Sequence, residues 1–389
     1  MLHNRLPYLK AGEYRSGLDY SLIYPGQEAG AYHYPMLRVA WKCLTEDFSA
    51  SLDLLLEILL RTDLTKGEML AYLTQVMADN WDMARQEGAE IAFDGATSGA
   101  GVMADSSRME LDANGQDCYW LLKEILGKLQ ENPETVGELA ESLENSRRKA
   151  FTRDRIIFMT AASVLEGDEI TRQAVERLGM LNKKPEDCNV VYELPDVKKT
   201  TAICIEDSMN NTIMAGDYRK DPGFLGSYIP FYYAMADKYT VPVFRFRLGA
   251  YSADSIWLPD DGILATGIYA DPNVKDTLDA LREMGAYLDT MSLTQEELNG
   301  YILKAYSAVV RPSGVLDGVL SDMGGVLMGM APETEALMAQ QVRFATLGLQ
   351  PEAVRHIQKV LEDSTICTVG NEAMIRKDAD CFEEVVSYR

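Results

Sequence analysis

The 389-residue chain is poor in the side chains that hold metals. It has three histidines, His3, His33 and His356, and no two stand within five residues of each other. H-x-x-E-H and H-x₃₋₅-H patterns are therefore both absent, which argues against a zinc hydrolase that works by itself. The six cysteines (Cys43, Cys118, Cys188, Cys204, Cys367 and Cys381) are scattered, with no C-x-x-C pair. That argues against a disulfide framework or a zinc knuckle and for isolated thiols in a reducing compartment. No stretch approaches the ~18 consecutive apolar residues of a membrane span. The opening MLHNRLPYLKAGEYRSG lacks the apolar core of a signal peptide, so a cytoplasmic location is expected. Positive charge is scarce too. Lys plus Arg is 37 against 60 for Asp plus Glu, a formal charge of −23. Such a chain should repel nucleic acid and anionic membranes, and any long-range electrostatic partner should be cationic, the bland alternative being that the charge serves solubility alone.

What is present is an ordinary globular composition, 47% apolar and 25% charged, enough for sizeable cores in one large or two smaller domains. Residues 36–44 (MLRVAWKCL) read as a buried strand and 47–61 as an apolar helix. Thr65 and Glu68 then have capping-box spacing, which predicts a long helix to about Gln86. The same order recurs. Residues 263–269 (ILATGIY) read as a strand, Asn273 and Asp276 open a helix over Thr277–Leu288, and Thr294 with Glu297 forms a second box. This order suggests a duplicated unit. A further helix is expected from Asn132-Pro133-Glu134-Thr135 to about Arg148, and strands over 155–164 and 366–370. Pro332 and Pro351 each suit a first helical turn.

Residues 181–200 carry Pro185, Pro195 and four lysines with little apolar periodicity. The expected organisation is a first α/β unit over 1–185, a linker over 186–200 and a second unit over 201–389. The expected class is α+β, two similar sandwich units, each a mostly antiparallel sheet with helices packed on one face. Thr97-Ser98-Gly99-Ala100-Gly101 has neither the ending of a phosphate loop nor dinucleotide spacing, and reads as a place of close backbone contact.

The segment that points to chemistry is 241–251, VPVFRFRLGAY. Strand alternation would put Val241, Val243, Arg245, Arg247 and Tyr251 on one face and Phe244, Phe246 and Leu248 toward a core. Arginine offers fixed donors to carbonyl or carboxylate oxygens, and tyrosine adds one more. For Arg245 and Tyr251 to act on one group the chain must bend, and Gly249 is where it can. Two surface arginines making ion pairs is the bland alternative.

Arg245-Phe-Arg-Leu-Gly-Ala-Tyr251, then Ile268-Tyr269-Ala270-Asp271-Pro272-Asn273 and Leu278-Asp279, resemble the C-terminal half of insulinase–pitrilysin family metallopeptidases, in particular the presequence-protease-like group. Residues 37–72 and the Leu-Thr-Gln-Glu-Glu-Leu run at 293–298 fit as well. The resemblance implies four similar α/β units in two halves that close around an unfolded peptide. It implies zinc, held by H-x-x-E-H, in an N-terminal half carried by the same polypeptide or a separate chain, and no metal here. By the same resemblance Arg245 and Tyr251 complete that distant site by contacting the substrate and its oxyanion, with Arg247, Gly249 and Ala250 lining the substrate. Three positions depart from the pattern. Leu248 and Ser252 stand where glycines are usual, and Ala270 where an arginine is, which implies a stiffer loop and altered contacts. Residues 1–17 lack the strand and helix that the resemblance places before Leu18, so these pieces are expected upstream or from a partner chain.

The leading reading is thus a non-catalytic, substrate-binding half of a zinc endopeptidase that degrades unfolded peptides. The alternative is a catalytically inactive scaffold or assembly subunit of the same fold. A third is an unrelated α/β protein, which should show no pair of similar units.

Overall fold

A computed structural model describes residues 19–23, 36–84, 86–101, 104–113, 115–132, 135–183, 196–259, 261–310, 314–327 and 333–388. In chain order it begins with strands β1 (Asp19–Ile23) and β2 (Met36–Ala40). Helices α1 (Phe48–Arg61), α2 (Gly67–Ala84), α3 (Gly88–Thr97), α4 (Ala104–Ala113), α5 (Gln116–Glu131), α6 (Thr135–Ala150) and α7 (Val164–Leu178) follow. Then come β3 (Thr200–Ile205), β4 (Asn210–Asp217) and α8 (Ile229–Met235), which runs into a wide π-type helix over Ala236–Arg247. After β5 (Ser252–Leu258) and β6 (Ile263–Asp271) stand α9 (Lys275–Thr290), α10 (Gln295–Val309), α11 (Val315–Leu327), α12 (Glu333–Arg343) and α13 (Gln350–Glu362). β7 (Thr365–Asn371), α14 (Glu372–Lys377) and β8 (Glu384–Ser387) close the chain. No helix among the described residues is long and apolar enough to cross a membrane.

The described residues fall into two compact units, one within 1–23, 35–79 and 120–193, the other within 80–119 and 194–389. In the first, β1 and β2 pair antiparallel. Its core gathers Phe48, Leu52 and Leu55 of α1 with Ile170 and Ala174 of α7, residues at i, i+4 and i+7 of one helix face. Thr65 forms no capping box. Its hydroxyl donates to Asp63 Oδ1 at 2.6 Å, and α2 starts at Gly67 and ends at Ala84. Residues 156–163, expected within a strand, form no strand; this stretch runs between a 3₁₀ turn and α7, and a strand needs a ladder partner. Helix α6 and Pro351 in the first turn of α13 match expectation, while Pro332 lies outside the described residues.

The second unit is built on a six-stranded mixed sheet in the order β5-β6-β4-β7-β3-β8. The β5, β6, β4 and β7 neighbours are antiparallel, and β3 is parallel to both β7 and β8. Alternate residues serve opposite faces. Ala202, Cys204, Met214, Leu264, Ile268 and Ile366 face the larger core, with α8, α9 and α13. Ile203, Ile205, Ile213, Ala215, Ile263, Ala265, Cys367 and Val369 face the other side, against Ala92, Ala96 and Ala100. Helices thus cover both faces, which is why β3, β4, β6 and β7 read as nearly continuous apolar runs. Residues 80–119 pack in this unit because α3 is the cover of that second face. Gly101, at φ +69°, brings the end of this run so near the Asp261 carbonyl that a Cβ would collide, as the small-residue run predicts.

The β6–α9–α10 order repeats β2–α1–α2, the duplicated order seen in the sequence. In the second unit the box is complete. Thr294 accepts from Glu297 N at 3.2 Å, and Glu297 Oε2 accepts from Thr294 N at 2.7 Å.

Candidate functional site

The 241–247 segment is helical. It continues α8 with its hydrogen bonds widened by one residue, as in Leu248 N to Val243 O at 2.9 Å. Pro242 has no N–H to give to a sheet ladder, so it suits this geometry better than a central strand. Three pins hold the run on the sheet and on α9. Tyr232 OH donates to Ala265 O at 2.7 Å. Thr240 and Ser255 hydroxyls lie 3.3 Å apart, and Ser255 and Thr266 hydroxyls 3.1 Å apart. Tyr239 OH donates to Ala280 O at 2.8 Å. Burial pushes the Tyr232 and Tyr239 phenols above their ordinary values, so both stay neutral donors.

This overturns the strand-face reading. Phe244 is fully buried, but Phe246 is 74% exposed rather than in a core. Arg245 and Arg247 do not share a strand face; with Phe246 they form the exposed last turn of the wide helix. Among the described residues neither guanidinium has a carboxylate within ion-pair distance. Arg245 lies 5.8 Å from the ring centroid of its neighbour Phe246. In a chain with so many carboxylates, two arginines without such a partner among the described residues leave their donors available to a ligand.

The bend falls where the sequence places it. Gly249 has φ +88°, a left-handed conformation that favours glycine. Ala250 is buried, and its N–H is spent on Phe244 O at 3.0 Å. It therefore braces the loop and has no free donor for a substrate. Tyr251 follows, with its N–H held by Tyr269 O at 3.1 Å and its side chain 77% exposed. Arg245, Arg247 and Tyr251 are thus brought to the two exposed ends of one short turn, while Gly249 and Ala250 shape that turn.

The turn rests on 269–273. Asp271 is fully buried and accepts from Asn273 N at 3.0 Å, Asn273 Nδ2 at 2.9 Å and the Thr277 hydroxyl. Burial pushes its carboxyl up, and these donors oppose the shift. The Asp254–Tyr269 pair lies beside it. Burial raises both groups, the phenol to about 12.

His356 has a companion that the sequence did not reveal. Its Nδ1 is 2.6 Å from Asp221 Oδ2, and its ring stacks on Tyr228 at 5.1 Å. Lys359 Nζ is 3.0 Å from Asp221 Oδ1. Burial alone would raise the Asp221 carboxyl, but His356, Lys359 and the Gly223 N–H hold it at about 2. The cluster pins α13 to residues 221–223; no nucleophile joins it in these contacts. The signal was present only as a histidine and a lysine on one helix face, at i and i+3.

Among the described residues no group of three or more His, Cys, Asp or Glu side chains could hold a metal. The described residues therefore offer no zinc ligand set.

No family model matches the chain. Protein HypA of Clostridium perfringens is 21% identical over 364 residues, a match covering 91% of this chain and 36% of HypA. The chain thus spans about a third of the length of this curated relative. Among solved structures, an inactive domain of an M16 peptidase from Pseudomonas fluorescens superposes with a TM-score of 0.52 at 13% identity, over 91% of this chain and 81% of that one. The first half of the periplasmic protease PqqL from Escherichia coli gives 0.53 at 12%, over 96% and 79%. The chain has the α+β fold of an M16 peptidase half, the insulinase–pitrilysin fold that its 245–279 segment resembles.

Proposed function

We propose that this chain is the non-catalytic, substrate-binding C-terminal half of a zinc metalloendopeptidase that degrades unfolded peptides. The observation that carries this reading is the exposed Arg245–Tyr251 turn, with two arginines free of carboxylate partners among the described residues and a solvent-facing phenol. Guanidinium and phenol groups donate to peptide carbonyls, and a donor aimed at a developing oxyanion stabilises it more than the ground-state carbonyl. Zinc belongs, in this reading, to a half with H-x-x-E-H, in the same polypeptide or a separate chain. The five described cysteines are free thiols, which supports a cytoplasmic, reducing setting.

The test is Arg245→Ala and Tyr251→Phe in the whole enzyme, with unfolded peptides as substrates. Each should lower kcat/KM by about a hundredfold, the scale of losing one oxyanion donor, with an unchanged melting temperature. Unchanged kinetics in both would remove the pair from the site. If proteolysis persists but assembly with the other half fails, the scaffold reading takes its place. The chain alone should bind no stoichiometric zinc and cleave nothing, which elemental analysis and a chelator control would check.

A further inference from the structure

The residues that flank the 248–251 turn are firmly held. Phe244 anchors the helix before it, and β6 pairs with the strand after it. Within the turn Leu248 N and Ala250 N are held by the helix before it, and the Leu248 carbonyl is gripped by one side chain. Asn273 Nδ2 donates to Leu248 O at 2.8 Å and to Asp271 Oδ1 at 2.9 Å, so both amide hydrogens are used. Gly249 faces Pro272, and a Cβ added there would lie 3.9 Å from Pro272 Cγ.

This grip is itself braced. Asn210 Nδ2 donates to the carbonyls of Asp271 at 3.3 Å and Asn273 at 3.4 Å. Asn211 Oδ1 accepts from Ala270 N at 3.1 Å. Ala270 has φ +46°, a conformation an alanine adopts only when its surroundings enforce it. A strained residue and a buried carboxylate are thus both committed to the placement of one asparagine amide.

We propose that Asn273 is a positioning residue: by tying the Leu248 carbonyl to buried Asp271 it fixes the spacing between Arg245 and Tyr251. This rests on the reading of that pair as the peptide-binding groups. Two donors that act on one extended peptide must be held to within about 0.5 Å, and a loop free at Leu248 would have to be ordered at each binding event. Asn273→Asp keeps the size of the side chain but sets an acceptor against two acceptors. Asn273→Ser simply shortens it and serves if the aspartate variant fails to fold.

The experiment uses the full chain and three readouts: amide hydrogen exchange at Ala250 and Tyr251, melting temperature, and anisotropy of a fluorescein-labelled, unstructured lysine-rich peptide. Exchange at Ala250 and Tyr251 should quicken about tenfold, the scale of one lost hydrogen bond, while exchange within β6 stays unchanged. Peptide affinity should fall by a similar factor. Tyr251→Phe should then cost less affinity in the Asn273→Asp background than alone, because the two act through one geometry. A purely structural role would lower the melting temperature and leave these losses additive. Unchanged exchange at Ala250 and Tyr251 overturns the inference, and so does full affinity when Arg245→Ala and Tyr251→Phe both weaken binding. If those two leave binding intact, the peptide-binding reading fails by itself. Exchange at Ala250 and Tyr251 then still decides whether Asn273 fixes the turn.

Discussion

Residues 241–247 and 263–269 look alike in sequence, since both are rich in strand-forming side chains, yet one is a wide helix and the other a central strand. β6 has a ladder partner on each side, β5 and β4, and its side chains are used on both faces. The 241–247 run has Pro242 in its middle, α8 leading into it, and hydroxyls of Tyr239 and Thr240 already engaged with α9 and β5. A strand pattern becomes a strand only where a neighbour can complete its hydrogen bonds.

The sharpest way to break this comparison is the phenylalanine pair. A strand would bury Phe244 and Phe246 alike. The helix buries Phe244 and exposes Phe246. Phe244→Ala should therefore cost about 3–5 kcal/mol, and Phe246→Ala no more than about 0.5 kcal/mol, in urea denaturation. Equal costs would restore the strand.

Acid offers the next largest handle. Asp221 lies on the chain leading into α8 and is held at about 2 against an ordinary 3.8. A carboxyl lowered by folding stabilises the fold fully above 3.8, and that contribution is lost as pH falls from 3.8 toward 2. Hydrogen exchange should then quicken in residues 221–247 before it does in β6. The Asp221→Asn variant should lose this step, and persistence of the step in that variant would assign it to another group.

The two Thr-x-x-Glu runs repeat the comparison at smaller scale. Thr294 caps α10, and its partner Glu297 is also held by Lys238 of the wide helix at 2.7 Å. Thr65 turns to Asp63 instead. Thr294→Ala should cost about 1 kcal/mol. Thr65→Ala, with no cap to lose, should stay within about 0.5 kcal/mol. Similar costs would mean that the second box adds nothing to its helix.

Much of the architecture is legible without coordinates. The apolar spacing of 47–61 and 277–288 shows helices, the Thr294 box shows where α10 begins, and 263–269 reads as a strand. Of the site, Arg245, Tyr251 and the bend at Gly249 are readable, because residue type and a left-handed turn are local properties. The grip of Asn273 on Leu248 and the Asp221–His356 contact join residues 25 and 135 positions apart, and no short window contains both partners.

By itself the sequence determined the acidic charge, the missing H-x-x-E-H, the repeated strand–helix–helix order of 263–309 and the turn at Gly249. Each depends on composition or on neighbours within a few residues. Tertiary structure alone decided that 236–247 is helical, that Phe246 faces solvent, that α3 covers the second sheet face and that Ala250 has no donor to spare. These depend on which distant backbone or side chain occupies the space alongside, and that is settled only when the chain packs.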